Sequence, residues 1–190
     1  MNNRLEPINA ETKATAMVWT RAGYSVNTWR LVCRGRVFAM FTFMNTEQTH
    51  AVLRTANGAW EIRETFGGVA PRVGIRPLEG DEEIAVFRPA TTGHGTTHFA
   101  GGPIFRWRRP SSSAKPASIV TLKGGPIADI GKPLTNGRGP VTVFLAEDAV
   151  AVPELAVLLG LGLYTSLLQS RGTLMTEDAD YLEDTVALSC

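Results

Sequence analysis

The sequence predicts a mainly β protein, a closed antiparallel barrel wrapped around one C-terminal hydrophobic α-helix. Three observations predict it. From Met17 to Leu145 the chain breaks into short runs of β-forming residues separated by Gly- and Pro-rich turns, the spacing of an antiparallel sandwich or barrel. The stretch Pro153 to Leu168, PELAVLLGLGLYTSLL, carries no charge from Leu155 onward, so a helix there is apolar on every side and needs lipid or a protein wall around it. The β runs number roughly ten to twelve, more than the eight whose own side chains already fill a barrel. A can of that size around a helix is a known solution.

Taken in order, residues 1–16 read as a polar lead-in and residues 17–171 as one barrel domain. Met17 to Trp19 opens the strands, Tyr24 to Cys33 follows, and Arg34-Gly35-Arg36 reads as a turn. Val37 to Met44 is apolar on both alternating faces, which predicts cover on two sides. Asn57-Gly58 suits a two-residue type I′ hairpin, since both central positions need φ > 0. That register sets Arg54 opposite Glu61, Leu53 opposite Ile62 and Thr55 opposite Trp60, with charges on one face and an apolar cluster on the other. Further strands are predicted at Arg72 to Arg76, Glu83 to Arg88, Thr96 to Phe99, Ile104 to Arg108, Ile119 to Leu122, Ile127 to Ile130 and Val141 to Leu145. Gly-Gly-Pro-Ile occurs at 101–104 and 124–127, each time leading into a strand, which points to a shared turn chemistry. Ser111 to Pro116 reads as a mobile loop.

The helix is predicted over 153–171. Pro153 suits a first turn, Glu154 complements the positive end of the dipole, Arg171 the negative end, and Gly172 can cap it. Gly160 and Gly162 each cost about 1 kcal/mol against alanine, a cost that close approach of the surroundings would justify. The uninterrupted apolar run is shorter than the roughly 20 residues of a membrane span, which favours a buried helix over an anchor. Residues 173–190 read as an acidic tail, a short helix or disordered, able to cover part of the basic body.

The formal net charge of +1 conceals that asymmetry. All 19 Lys and Arg lie at or before Arg171 against 13 acids, so that span carries 19 − 13 = +6, while the last residues hold five acids. Such a body invites an anionic partner. Cys33 and Cys190 cannot build a disulfide framework, and the polar N-terminus lacks a signal-peptide run, so a cytoplasmic protein is expected.

Catalytic patterns fail. There is no G-x-S-x-G elbow, and Gly131-Lys132 is followed by Pro133 rather than Ser or Thr, which rules out a phosphate-binding P-loop. His94 and His98 have a helical ligand spacing among strand residues, where they would stand about 13 Å apart, and His50 reads as isolated. The acids Glu79, Asp81, Glu82 and Glu83 around Gly80 look like a solvated turn. No metal, cofactor or catalytic residue is therefore expected, and no nucleic acid, since no stacking motif appears. The arginines point elsewhere. In Ile104 to Arg109 alternation sets Phe105 and Trp107 on one face and Arg106 and Arg108 on the other. Arg30, Arg34 and Arg36 flank the turn after a Trp-bearing strand. Guanidinium forks suit phosphate, so Arg30, Arg34, Arg36, Arg106, Arg108 and Arg109 are the candidate anion- or lipid-binding residues.

In layout, with short strands rich in Trp, Phe and Gly, phrases such as GGPIFRW, and the closing VPELAVLLGLGLYTSLL, the chain resembles the tubby-like C-terminal superfamily. That group comprises tubby proteins, phospholipid scramblases, plant LURP-one-related proteins and small bacterial relatives. The resemblance spans roughly Met17 to Arg171. It implies a barrel of about twelve strands around a central helix and a role at anionic membrane lipids. No phosphoinositide-binding motif matches residue by residue, and the calcium-binding and palmitoylated segments of a scramblase are missing. The expectation is a non-enzymatic binding or scaffolding protein, monomer or homodimer, peripheral at the membrane. The alternatives are a carrier of a small hydrophobic ligand and a protein anchored through residues 155–168.

Overall fold

A computed structural model describes residues 4–9, 12, 16–23, 25, 27–67, 70–90, 92–110, 115–133 and 139–169. Twelve strands run as an up-and-down meander: β1 Met17–Arg21, β2 Thr28–Cys33, β3 Arg36–Phe43, β4 His50–Thr55, β5 Gly58–Gly67, β6 Ala70–Pro77, β7 Ala85–Pro89, β8 Gly95–Phe99, β9 Ile104–Arg108, β10 Ala117–Thr121, β11 Pro126–Ile130 and β12 Val141–Leu145. Each pairs antiparallel with its sequence neighbours, and β1 pairs with β12 through Met17↔Val143, so the barrel closes and no edge is left open. A 3₁₀ turn, Ala149–Ala151, then leads into α1, Leu155–Gln169, the one α-helix among the described residues.

Alternation decides what each strand turns inward. Trp19, Trp29, Leu31, Phe41, Leu53, Ile62, Ile75, Phe87 and Trp107 are buried on the inner face, and the residues of α1 meet them from within. Leu158, Leu161, Leu163, Tyr164 and Leu168 leave α1 in different directions, yet all are buried, because the wall surrounds the helix. Gly160 and Gly162 mark the closest approaches. A Cβ at 160 would lie 2.6 Å from Leu53 Cδ2, and one at 162 would lie 3.1 Å from Ile130 Cγ1. The crowding comes from wall side chains rather than from backbone. The Thr165 hydroxyl donates back to the carbonyls of Leu161 (2.9 Å) and Gly162 (3.1 Å), which satisfies a polar group inside an apolar core. At 15 residues α1 is about 22 Å long. Among the described residues no helix is long and apolar enough to cross a membrane.

Several local expectations change. The hairpin between β4 and β5 forms, but Thr55 pairs with Gly58, Arg54 with Ala59, Leu53 with Trp60 and Val52 with Glu61. The turn is therefore centred on Ala56-Asn57, and Asn57 keeps a negative φ. Its amide donates to Thr55 Oγ1 at 3.1 Å, and the Trp60 ring lies 3.3 Å from where a Cβ on Gly58 would stand, so the glycine is needed inside the strand instead. Moving by two residues preserves which face each side chain takes, so the apolar cluster survives while the charge partners change. The left-handed pair of a type I′ turn is found at Arg34 (φ 48) and Gly35 (φ 75), between Cys33 and Arg36.

β3 is not covered on both sides: Ala39, Phe41 and Phe43 face the core, Val37 and Met40 are half-buried outside, and Met44 is exposed. A bulge beside Leu31 releases Phe38, which packs under the N-terminal segment. That segment is less ragged than its polarity suggests. The Glu6 amide donates to Val37 O at 2.9 Å, Ile8 packs against the core, and Thr12 is buried with its hydroxyl on Asn9 O. The repeated Gly-Gly-Pro-Ile does mark one turn chemistry, since Gly101 (φ 62) and Gly124 (φ 90) both take the left-handed conformation. β2 begins at Thr28, while Tyr24, residues 111–114, Arg171, Gly172 and the acidic tail lie outside the described residues.

Candidate functional site

With the interior taken by α1, chemistry is left to the outer wall and the two rims. The candidate arginines divide there into two groups. Arg30 faces outward on β2, in register with Thr20 and Met40. Arg34 and Arg36 sit at the β2–β3 turn, the rim where α1 enters, and line a groove of about 210 Å³ with Glu6, Asn9 and Thr12. Arg106 and Arg108 face outward on β9, and Arg109 follows at the opposite rim. β1, β12, β11 and β10 separate β2 from β9 on one side, and β3 to β8 on the other. The six residues therefore form no single patch.

The β9 group is joined by a residue that strand spacing alone did not single out. Thr96 on β8 pairs with Arg106 on one side and with Arg88 of β7 on the other. Arg88 and Arg106 thus flank Thr96 on the same face, their Cα atoms about 10 Å apart at the usual inter-strand distance. Arg108 stands two positions along from Arg106 on the same face, opposite Ser118, whose hydroxyl bonds Asp129 at 2.6 Å. Phe87, Phe105 and Trp107 are the inward neighbours that force these arginines out. Among the described residues no carboxylate pairs with Arg88, Arg106, Arg108 or Arg109. The signal for Arg88 was available: Val-Phe-Arg-Pro repeats the alternation of Phe-Arg-Trp-Arg.

The histidines take different parts. His94 is exposed and accepts the Arg109 amide on Nδ1 at 3.2 Å, and His98 lies half-buried on β8. His50 is not isolated. Its Nε2 meets Glu61 Oε1 at 2.7 Å, and Arg76 Nε bonds the other carboxylate oxygen. Burial pushes the Glu61 carboxyl up, but the Arg76 hydrogen bond and charge, with His50 and Arg63, hold it below the usual carboxylate range. Glu79, Asp81, Glu82 and Glu83 are exposed, as a solvated turn requires, and Glu83 also meets Arg72 at 3.4 Å.

One acid points inward. Glu64, 8% exposed, shares the inner face of β5 with Ile62, and its Oε2 has no hydrogen-bond partner. Burial raises its pKa. The Tyr164 hydroxyl on α1 is likewise buried without a partner, and its pKa is raised by burial and then by the Glu64 charge. Among the described residues no cluster of three His, Cys, Asp or Glu stands ready for a metal ion.

No protein-family model matches the sequence, and no curated protein matches it. The fold is similar to that of an X-ray structure of a protein from Arabidopsis thaliana, with a TM-score of 0.50 over 82% of this chain and 95% of that chain, at 10% identity. At that identity the likeness is one of fold.

Proposed function

We propose that the chain is a non-enzymatic binding or scaffolding barrel of the tubby-like kind, which meets anionic lipid headgroups through the outer wall of β7 to β9. The observation that carries this reading is the row Arg88–Thr96–Arg106, extended by Arg108 and Arg109, in which the cations have no carboxylate partner among the described residues. Elsewhere on the wall Arg72 and Arg76 are matched with acids. Guanidiniums around a hydroxyl suit phosphate oxygens, since they offer planar forks of donors. Each basic residue near an anionic surface is worth about 1 kcal/mol and is screened by salt. The twelve-stranded barrel closed on an apolar helix supports the tubby-like assignment and leaves the outside as the working surface.

Vesicle co-sedimentation tests it. The protein is expected to pellet with phosphatidylcholine vesicles that contain phosphatidylserine, and to stay in the supernatant with phosphatidylcholine alone. Reversing both Arg88→Glu and Arg106→Glu should abolish pelleting, while Arg34→Glu with Arg36→Glu should leave it unchanged. Equal, negligible pelleting with both vesicle types would remove the lipid reading.

A further inference from the structure

The outer wall of β5 to β7 holds a dent with Gly74 as its floor. Val73 and Ile75 face the core, so Gly74 presents bare backbone outward, between Arg72 and Arg76 on its own strand and opposite Arg63 of β5. The space a side chain would fill is taken by another part of the chain. Any Cβ on Gly74 would collide with Glu83 Oε2, which reaches the dent from the β6–β7 loop. Arg72 Nη2 meets that same oxygen at 3.4 Å, and Arg72 is itself steadied by its Nε bond to Thr65 Oγ1 at 3.2 Å.

We propose that this dent is a recognition site for a carboxylate side chain of an acidic protein segment, and that Glu83 is its built-in occupant, displaced when the partner binds. The occupant fixes the ligand chemistry: a carboxylate oxygen already sits over Gly74 against a guanidinium. Its hold is loose. Arg72 and Glu83 are 42% and 34% exposed, and a half-exposed pair at that separation is screened and weak. The charges favour an exchange, because Arg63, Arg72 and Arg76 face Glu61 and Glu83, and withdrawing Glu83 leaves three guanidiniums against one carboxylate. Glu61 is tied to Arg76 and His50 and stays in place. Its fixed charge beside the dent favours a monoanionic carboxylate over a phosphate dianion. The loop that carries Glu83, with Glu79, Asp81 and Glu82, has the composition of the segment to which Glu83 would yield. This site takes a different ligand from the β7–β9 wall and does not depend on it.

Triglutamate is the probe, followed by amide and arginine Nε–H shifts in NMR. Glu83→Ala should bind it a few-fold more tightly than wild type, since a tethered competitor held only by a weak, screened pair reduces the open fraction of the site by about that factor, with the largest shifts at Gly74 and Arg72. Gly74→Ala in the Glu83→Ala background should abolish the effect by filling the floor, and Arg72→Gln should do so without filling it, both with unchanged unfolding midpoints. Equal affinity of wild type and Glu83→Ala, retention of binding when Gly74 is filled, or inorganic phosphate saturating the same resonances at lower concentration than triglutamate would each overturn the assignment.

Discussion

Glu61 and Glu64 stand three residues apart on β5 and face opposite sides of the same wall. Glu61, outside, is buried under Arg76 and His50, and its carboxyl is held below the ordinary range despite the burial. Glu64, inside, is as little exposed but looks onto α1, with an oxygen unpartnered and its pKa raised. Equal surface exposure thus goes with opposite shifts, because Glu64 lies deeper in the protein and lacks the counter-charges that Glu61 has. Outside, the register of neighbouring strands supplies counter-charges. Inside, the helix that fills the barrel carries no charge, and it gives Glu64 Oε2 no hydrogen bond.

The comparison breaks first if the interior is not the seat of stability. Leu163 on α1 is wholly buried, and Leu163→Ala should cost about 2–5 kcal/mol in urea unfolding, whereas Val86→Ala on the outer face of β7 should stay within about 0.5 kcal/mol. Similar losses from both would mean that α1 does not brace the wall.

The two glutamates sharpen it further, because their pH dependences have opposite sign. Glu61 has a lowered folded pKa, so its contribution is present above the ordinary glutamate pKa and is lost as pH falls through the folded value. Glu61→Ala should cost about 1–2 kcal/mol at neutral pH, discounted for the exposure of Arg76 and His50, and it should flatten the acid limb. Glu64 has a raised folded pKa, so its contribution is full below the ordinary value and is lost as pH rises through the folded one. Glu64→Gln should leave stability near pH 4 unchanged and raise it near pH 8, by less than Glu61→Ala lowers it. Thermal unfolding of the two variants from about pH 2 to about pH 8 measures both limbs, the Glu61 limb below the ordinary glutamate pKa and the Glu64 limb above it, and slopes of the same sign would show that the faces do not differ electrostatically.

The inner face was the legible one. A charge-free run from Leu155 to Leu168 and strands at short intervals specify a helix inside a barrel, because apolar surface has few other places to go. The outer face was legible only in kind. Alternation sends Arg106 and Arg108 outward from the sequence, yet which charges meet depends on strand register, and the Ala56-Asn57 turn moved β4 against β5 by two residues. Glu61 consequently pairs with His50 and Arg76 rather than with Arg54, and Arg76 arrives from a third strand that no hairpin rule relates to β4. The separation of Arg30, Arg34 and Arg36 from the β9 arginines follows from barrel closure, which spacing along the chain does not express. Glu64 was hidden for the opposite reason: strand alternation set it inward, but an acid in a mostly apolar face reads as an exception until the wall is closed around it.

The smallest effects test how tightly wall and helix fit. Gly160 and Gly162 are both poor helix residues, and replacing either by alanine gains about 1 kcal/mol of propensity. At 160 the new methyl meets three atoms of Leu53, at 2.6, 3.0 and 3.2 Å, and Leu53 is wholly buried on β4, so it has no room to withdraw. Overpacking of that kind costs about 1–3 kcal/mol, so Gly160→Ala should destabilise by about 1 kcal/mol net. At 162 the nearest atoms belong to Ile130 and Ile119, at 3.1, 3.3 and 3.5 Å, and a shift of a few tenths of an ångström relieves them. Gly162→Ala should therefore leave the unfolding free energy unchanged or raise it, by no more than about 1 kcal/mol. Were the order reversed, the closest contact of α1 would be with β11 rather than β4, and the helix would be seated differently in the barrel from the position that sets Tyr164 beside Phe41 and Phe43.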